Sequence, residues 1–147
     1  MKEYKVKVYS DRTEWYNLGG QLHKEDGPAV EYTNGYKYWY LNGQRHREDG
    51  PAIEYANGGK VWYLNGQLHR EDGPAIEYAS GTKFWYLNGQ RHREDGPAIE
   101  WANGSKEWYL NGQYLTEKEH KEKTKKEESC EGKVVEIDGK KYKLISM

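Results

Sequence analysis

The residues best suited to chemistry recur in one motif, His-Arg-Glu-Asp, which occupies residues 46–49, 69–72 and 92–95. A related His-Lys-Glu-Asp stands at residues 23–26. An imidazole beside two carboxylates could act as a general base or supply ligands to a metal ion. These loops are therefore the first candidates for a catalytic or metal site.

The spacing of the motif argues against that chemistry. Its copies lie 23 residues apart, and if each unit contributes two strands, equivalent histidines are about 10 Å apart. A metal ion holds its ligands at about 2.0–2.2 Å, and an enzyme has little use for four copies of one site. We expect no catalytic residue, no bound metal and no cofactor, and hence no enzyme. A hydrolase or small-ligand binder that uses the repeated loops is the alternative.

The same spacing favours a structural role for the motif. We expect the histidine to hydrogen-bond across a crossover, the aspartate to cap the turn before Gly-Pro, and the arginine to pair with a position such as Glu31 on the neighbouring unit. The residues that we assign to the structure of the repeat are His23, His46, His69, His92, Trp39, Trp62, Trp85 and Trp108.

Each 23-residue unit has the pattern of a β-hairpin. Residues 52–55 and 60–63 are rich in β-branched and aromatic side chains, and Asn57-Gly58 between them tolerates the positive φ angles of a tight turn. A second Asn-Gly, at Asn65-Gly66, ends the other strand. A unit this short cannot bury a core alone, so the units must stack. The sequence predicts an all-β repeat, an elongated and twisted antiparallel β-meander of stacked hairpins.

The faces of the sheet follow from the length of the turn. A two-residue turn at Asn34-Gly35 places Val30 opposite Trp39 and Glu31 opposite Tyr38. The packed face is then predicted to hold Val30, Tyr32, Trp39 and Leu41. The other face is predicted to hold Glu31, Tyr38 and Tyr40.

The repeat resembles a known family. Tyr-x-Asn-Gly-x-x-His, followed by Gly-x-x-x-x-Tyr-x-x-Gly-x-x-x-x-Tyr at a period of 23, is similar to MORN repeats, and more similar to the divergent MORN-like repeats of bacterial and phage open reading frames. The resemblance covers about residues 14–113. It implies an elongated β-meander used for protein contacts, with no shared enzymatic activity.

The two ends differ from the array. We expect residues 1–10 to form an N-terminal capping strand and residues 11–114 to form the repeat array. Residues 115–130 are predicted to be a charged helix or linker that begins at a capping box of Thr116 and Glu119, has almost no apolar stripe and is solvated or acts as a spacer. Residues 131–147 are predicted to be a terminal β-hairpin, docked on the final sheet edge, on a partner or in a homodimer.

Charge and composition restrict the classes of partner that the chain can bind. The chain of 147 residues has 21 aromatic residues, a formal net charge of -1, one cysteine and no long apolar run. Residues 11–112 hold 11 Lys or Arg against 15 Asp or Glu, a net charge of -4. Binding to nucleic acid or to anionic lipid depends on positive charge, so we expect no membrane contact and keep nucleic acid only as the weakest alternative. We expect a cytoplasmic protein.

Positions that vary between the copies are free of the demands of the repeat. A partner that recognises the sheet specifically would contact these positions or the exposed tyrosines. Exposed tyrosine beside arginine and glutamate is typical of protein interfaces. The partner-binding residues that we predict are Tyr36, Tyr38, Tyr40, Arg45, Phe84 and Arg91. We expect a non-enzymatic scaffold that binds a protein partner, and the resemblance to phage sequences raises the hypothesis of an inhibitor that occludes a host or bacterial-defence protein.

Overall fold

A computed structural model describes residues 2–125, 134–137 and 140–143. Short antiparallel strands dominate it, as the repeat predicted. In chain order they are Lys5–Val8 (β1), Arg12–Tyr16 (β2), Val30–Tyr32 (β3), Lys37–Tyr38 (β4), Tyr40–Leu41 (β5), Gln44–Arg45 (β6), Ile53–Glu54 (β7), Lys60–Val61 (β8), Tyr63–Leu64 (β9), Gln67–Leu68 (β10), Ile76–Glu77 (β11), Lys83–Phe84 (β12), Tyr86–Leu87 (β13), Gln90–Arg91 (β14), Ile99–Glu100 (β15), Lys106–Leu110 (β16), Gln113–Leu115 (β17), Val134–Ile137 (β18) and Lys140–Lys143 (β19). Helix α1 spans Glu117–Thr124.

The array is an eleven-stranded antiparallel meander in the order β1-β2-β3-β4-β7-β8-β11-β12-β15-β16-β17. Each unit also makes a small hairpin beside the main sheet, and these hairpins are β5-β6, β9-β10 and β13-β14. The predicted class, an all-β repeat of stacked hairpins with a short helix and a terminal hairpin, is confirmed.

The two turns of each unit, at Asn-Gly or in one case at Ser80-Gly81, differ in type. Asn42 and Gly43 both have positive φ, 48° and 80°, which defines a two-residue type I′ turn. At the other dipeptide the N–H of Tyr32 donates to the carbonyl of Tyr36 at 2.9 Å. That hydrogen bond encloses three residues, with only Gly35 at positive φ.

The longer turn changes the register that we predicted. Val30 lies opposite Tyr38, and Glu31 lies opposite Lys37. The prediction of a two-residue turn, with Val30 opposite Trp39, was wrong. Because side chains alternate between faces, a shift of one residue exchanges them. Tyr38 therefore shares a face with Val30, and Trp39 lies on the opposite face.

We call the face that carries Val30 the aromatic face. From β2 to β16, directly opposed residues form one continuous row along its middle, the floor row. The floor row consists of Glu14, Val30, Tyr38, Ile53, Val61, Ile76, Phe84, Ile99 and Glu107. Its aliphatic members except Ile76 are buried, with Ile99 only 1% exposed and Ile53 3% exposed. Since the main sheet is a single layer, flanking aromatic side chains must cover this row.

We call the other face the loop face, because the His-Arg-Glu-Asp loops cross it. Its central row alternates acid and base along the ribbon: Glu31, Lys37, Glu54, Lys60, Glu77, Lys83, Glu100 and Lys106. Opposite charges directly across a strand pair stabilise a sheet by about 0.2–1 kcal/mol each. Cross-strand charge pairs therefore stabilise the loop face, whereas burial of apolar side chains stabilises the aromatic face.

The ends of the array are closed differently. Strand β1 pairs with β2 at the first edge, as predicted. Helix α1 begins at the predicted capping box, in which Thr116 and Glu119 satisfy each other's backbone N–H groups. Helix α1 is solvated over most of its length, as predicted, since only His120 and Thr124 are not exposed. It is not a spacer, because His120 is 2% exposed and its Nε2 lies 2.6 Å from the carbonyl oxygen of Arg93.

The C-terminal segment forms the predicted hairpin of β18 and β19. The residues between these strands, Asp138-Gly139, lie outside the described residues, and so does the part of the predicted helix after Lys125. In the part of the chain that the structure describes, no helix has both the length and the apolar character needed to cross a bilayer.

Candidate functional site

The histidine of each loop is used to join one unit to the next. The Nδ1 atom of His46 accepts a hydrogen bond of 3.1 Å from the backbone N–H of Asn65, in the type I′ turn of the following unit. The same bond recurs from His23, His69 and His92 at 3.0–3.1 Å. Because Nδ1 accepts, the neutral ring carries its proton on Nε2. The predicted hydrogen bond across the crossover is present in all four copies.

The arginine of each loop is enclosed on several sides. The guanidinium carbon of Arg47 lies 4.1 Å from the ring centroid of Trp39. The same side chain donates to Asp49 and Glu54 at 2.9 Å and to the carbonyl of Pro51 at 3.2 Å. Our prediction placed the glutamate partner on the neighbouring unit, which was wrong, because Arg47 and Glu54 belong to the same 23-residue unit. Arg70 and Arg93 repeat these contacts.

These contacts set the ionisation of the loop aspartates. Hydrogen bonds from Arg47, Arg70 and Arg93 hold the pKa values of Asp49, Asp72 and Asp95 below the ordinary value for aspartate. These aspartates therefore favour the charged form. The loop carboxylates lie close to solvent, with the side chains of Glu48 and Asp49 85% and 84% exposed. The loop face is consequently acidic at its surface.

Clefts lie between successive loops. One, of about 760 Å³, has Trp85, Leu87 and His92 together with the loops at 70–74 and 92–95, and a second, of about 640 Å³, has the equivalent Trp39, Leu41 and His46. The side chains around them already bond to one another. Across the residues described, no group of three or more His, Cys, Asp or Glu side chains is arranged to hold a metal ion.

The aromatic face offers a different surface. A second row runs beside the floor row, and we call it the Tyr-Arg row. Its members are Tyr16, Leu22, Tyr40, Arg45, Tyr63, Leu68, Tyr86, Arg91, Tyr109 and Tyr114. Tyr109 shows that the two rows share a face, since its hydroxyl donates to Glu107 of the floor row at 3.0 Å.

Two arginines of this row are held by tyrosines. Arg45 donates to the Tyr40 hydroxyl at 3.2 Å and lies 5.4 Å from the ring centroid of Tyr63. Arg91 donates to the hydroxyls of Tyr86 and Tyr109 at 3.1 and 3.3 Å. Burial lowers the pKa of Arg45, but the hydrogen bond to Tyr40 and the other tyrosine contacts outweigh that effect and leave it raised. Both guanidinium groups therefore remain charged.

These two arginines differ from the other four in the chain. Arg12, Arg47, Arg70 and Arg93 each form an ion pair with at least one carboxylate. In residues 2–125, no carboxylate lies within 4.0 Å of Arg45 or Arg91 in such a pair. Two charges without a carboxylate partner thus stand among tyrosines, on the face turned away from the acidic loops.

A third row flanks the floor at the three-residue turns. This turn-side row consists of Tyr32, Tyr36, Tyr55, Tyr78 and Trp101. Edge-to-face contacts join it together and to the floor: Tyr36 to Tyr55 at 5.7 Å, and Phe84 to Trp101 at 5.4 Å between ring centroids. Tyr78 and Trp101 remain 48% and 40% exposed, so aromatic surface is available to a partner.

Sequence reasoning missed the glutamates that end the floor row. Glu14 accepts hydrogen bonds from Arg12 and from the Tyr16 hydroxyl, which raises the pKa of Tyr16 to about 12. Glu107 stands at the other end and accepts from Trp101 and Tyr109. The signal was present, because Glu107 replaces an apolar residue at a position where the preceding units have Tyr38, Val61 and Phe84.

The structure brings all six predicted partner-binding residues to the aromatic face. Tyr36 lies in the turn-side row, Tyr40, Arg45 and Arg91 lie in the Tyr-Arg row, and Tyr38 lies in the floor row. Phe84 is also in the floor row and only 9% exposed, so it supports Tyr78 and Trp101 more than it offers surface of its own. Tyr63, Tyr86 and Tyr109 were missed because they recur in every copy, and only variable positions were selected.

No known protein family matches the chain, and no curated protein resembles it at a significant level.

Proposed function

We propose that this protein is a non-enzymatic repeat scaffold that binds a protein partner through its aromatic face. The observation that carries the proposal is the Tyr-Arg row, in which Arg45 and Arg91 are charged, enclosed by tyrosines and without a carboxylate partner. Tyrosine and arginine are the residues most enriched at the energetic centres of protein interfaces. Their side chains are already ordered by neighbours, which reduces the entropy lost on binding.

The hydrogen bonds that the loop side chains already make support a non-enzymatic role. Each histidine accepts a backbone hydrogen bond. Each arginine stacks on a tryptophan and donates hydrogen bonds to an aspartate, a glutamate and a backbone carbonyl. A general base needs a free lone pair within reach of substrate, and Nδ1 does not offer one. The loop residues act in this proposal as connectors between units.

Two further parts of the proposal rest on the sequence. The period and motif of the repeat resemble MORN-like units, and we propose that the chain is one of these proteins. We also propose that it acts in the cytoplasm, as a phage-encoded inhibitor that occludes a host or bacterial-defence protein. The extended single-layer sheet supports this mechanism, because it presents a long surface with little mass behind it.

Site-specific photo-crosslinking in the source cell tests which face binds. A photoreactive phenylalanine would replace Tyr78 or Tyr114, which are 48% and 60% exposed on the aromatic face. Glu48 and Glu71, with side chains 85% and 86% exposed on the loop face, provide matched control positions. We expect one protein, identified by mass spectrometry, to crosslink from the aromatic positions and to be displaced by excess unlabelled chain. Crosslinks formed equally from both faces, or only from the loops, would overturn the proposal.

A further inference from the structure

We infer that the Tyr-Arg row binds an extended acidic segment of the partner, with two carboxylates six residues apart. This inference rests on the proposed function and names the chemistry of the partner. It starts from the alternation of the row, in which Leu22, Arg45, Leu68 and Arg91 take the same position in successive units.

The spacing of the two arginines sets the length of the segment. Arg45 and Arg91 are 46 residues apart in the sequence, which is two units. Two units add four strands to the sheet, and at about 4.8 Å per strand the guanidinium groups lie roughly 19 Å apart. An extended chain advances about 3.3 Å per residue, so six residues span about 20 Å.

Because six is an even number of residues, the spacing predicts a specific sequence motif in the ligand. Side chains of an extended strand alternate, so residues i and i+6 point to the same side. Residues i+2 and i+4 point to that side too, and they would face Tyr63, Leu68 and Tyr86 between the two arginines. The expected ligand therefore carries acidic residues at i and i+6 and apolar residues at i+2 and i+4.

Carboxylates fit this surface better than a phosphate backbone does. Binding to nucleic acid commonly uses many cationic contacts, whereas the Tyr-Arg row offers two arginines. The acidic loops cover the opposite face, with Glu48 and Asp49 more than four-fifths exposed, and the array has a net charge of -4. A short acidic segment needs only the two local charges and avoids long-range repulsion from the loops at moderate salt.

Fluorescence anisotropy with the full chain tests the motif directly. The probe is a labelled decapeptide that carries Glu at positions i and i+6, Val at i+2 and i+4, and Thr elsewhere. The comparison peptide has the same composition with the glutamates five residues apart. We expect the six-residue spacing to bind at least tenfold more tightly, because only that spacing directs both carboxylates to one side.

Charge reversal separates specific contact from general electrostatics. We expect Arg45→Glu and Arg91→Glu each to weaken binding about tenfold, while Lys83→Glu, the same charge change on the loop face, leaves it within twofold. The double variant should instead bind a peptide with Lys in place of both Glu residues. Circular dichroism confirms that each variant folds.

Several outcomes would overturn the inference. These are equal binding of the two peptide spacings, equal loss with Lys83→Glu, and tighter binding of a twelve-nucleotide oligothymidine than of the peptide. A crosslinked partner without peptide binding would leave the proposed function standing and reject only the acidic segment. Peptide binding without any crosslinked partner would reject the proposed function and leave standing only the affinity of the Tyr-Arg row for an acidic segment.

Discussion

The imidazole Nδ1 of His46 accepts a hydrogen bond of 3.1 Å from the backbone N–H of Asn65 in the next unit. Although carboxylates flank this histidine in the sequence, the contact gives it a structural role, as a joint between successive repeats. In a stacked array, stability depends on the interfaces between adjacent units as much as on the units themselves. Removal of one joint therefore weakens the array locally.

The first prediction concerns this joint. We expect His69→Ala to lower the free energy of unfolding by about 0.5–1.5 kcal/mol, the net contribution of a hydrogen bond. Urea denaturation measures it, and hydrogen exchange at Asn88, the donor to His69, should accelerate. Glu71→Gln is the control, since the Glu71 carboxylate lies 3.7 Å from Nε2 and its side chain is 86% exposed. An equal loss in both variants would reject the joint.

A second prediction concerns the glycine beneath each loop arginine. A Cβ atom at Gly50 would lie 2.9 Å from the guanidinium carbon of Arg47, which Trp39, Asp49 and Glu54 hold in place. We expect Gly50→Ala to cost about 1–2 kcal/mol, because it displaces a cation-π contact and its hydrogen bonds.

A double-mutant cycle isolates this coupling. In an Arg47→Ala background, Gly50→Ala should cost almost nothing, because the atoms that it would displace are gone. Gly27→Ala is the matched control, since the nearest atom there is the flexible Nζ of Lys24 at 3.3 Å. Additive costs for Arg47→Ala and Gly50→Ala would show that the glycine serves another purpose.

A third prediction separates the two Asn-Gly turns. Asn65 has φ of +49°, a region that glycine adopts without strain, so Asn65→Gly should change stability little. Asn57 is not among the residues of positive φ, and its side chain accepts a hydrogen bond of 3.0 Å from the N–H of Gly59. We therefore expect Asn57→Gly to cost about 1 kcal/mol. Thermal unfolding of the two variants compares them, and the reverse order would contradict the assigned turns.

A fourth prediction concerns acid. The arginine hydrogen bonds lower the pKa values of Asp49, Asp72 and Asp95, so the unfolded chain binds more protons than the native chain in acid. The stabilisation is complete above the ordinary aspartate pKa of about 3.9 and is lost as the pH falls below it. Urea midpoints measured between neutral pH and acid should fall less steeply in an Asp49→Asn, Asp72→Asn, Asp95→Asn variant. Identical slopes would contradict the prediction.

The fifth prediction concerns helix α1. His120 is 2% exposed and bonds the carbonyl of Arg93, so His120→Ala leaves that acceptor without its partner and should cost about 1–3 kcal/mol. Hydrogen exchange should accelerate in the last unit and remain unchanged near β3 and β4. Lys118→Ala, at a side chain that is 87% exposed, is the control. Unchanged exchange near Arg93 in His120→Ala would show that the helix does not hold the end of the array.

Much of the fold was predictable because the repeat applies each local rule several times. The hairpins, the first edge strand, the capping box of Thr116 and Glu119, and the histidine bond across the crossover all follow from local patterns. The docking of α1 was not predictable from its apolar pattern, because its contact is made by one histidine and a backbone carbonyl.

The candidate site was predictable in part. Variable positions led to Arg45 and Arg91, and the structure places both in the Tyr-Arg row. Tyr63, Tyr86 and Tyr109 could not be found in that way, since residues that recur in every copy serve both the repeat and the surface. Phe84 varies between copies and yet is 9% exposed, so variation alone does not indicate an accessible side chain.

The sequence by itself determined that this protein is a stack of 23-residue hairpins, because a short unit with that periodicity has no other way to bury its aromatic residues. Only the tertiary structure decided which side chains share a face. Asn-Gly fits both a two-residue and a three-residue turn, and with a side-chain period of two, that single residue moves Tyr38 beside Val30 and Trp39 beside Arg47. Which arginines lack a carboxylate partner follows from the same choice.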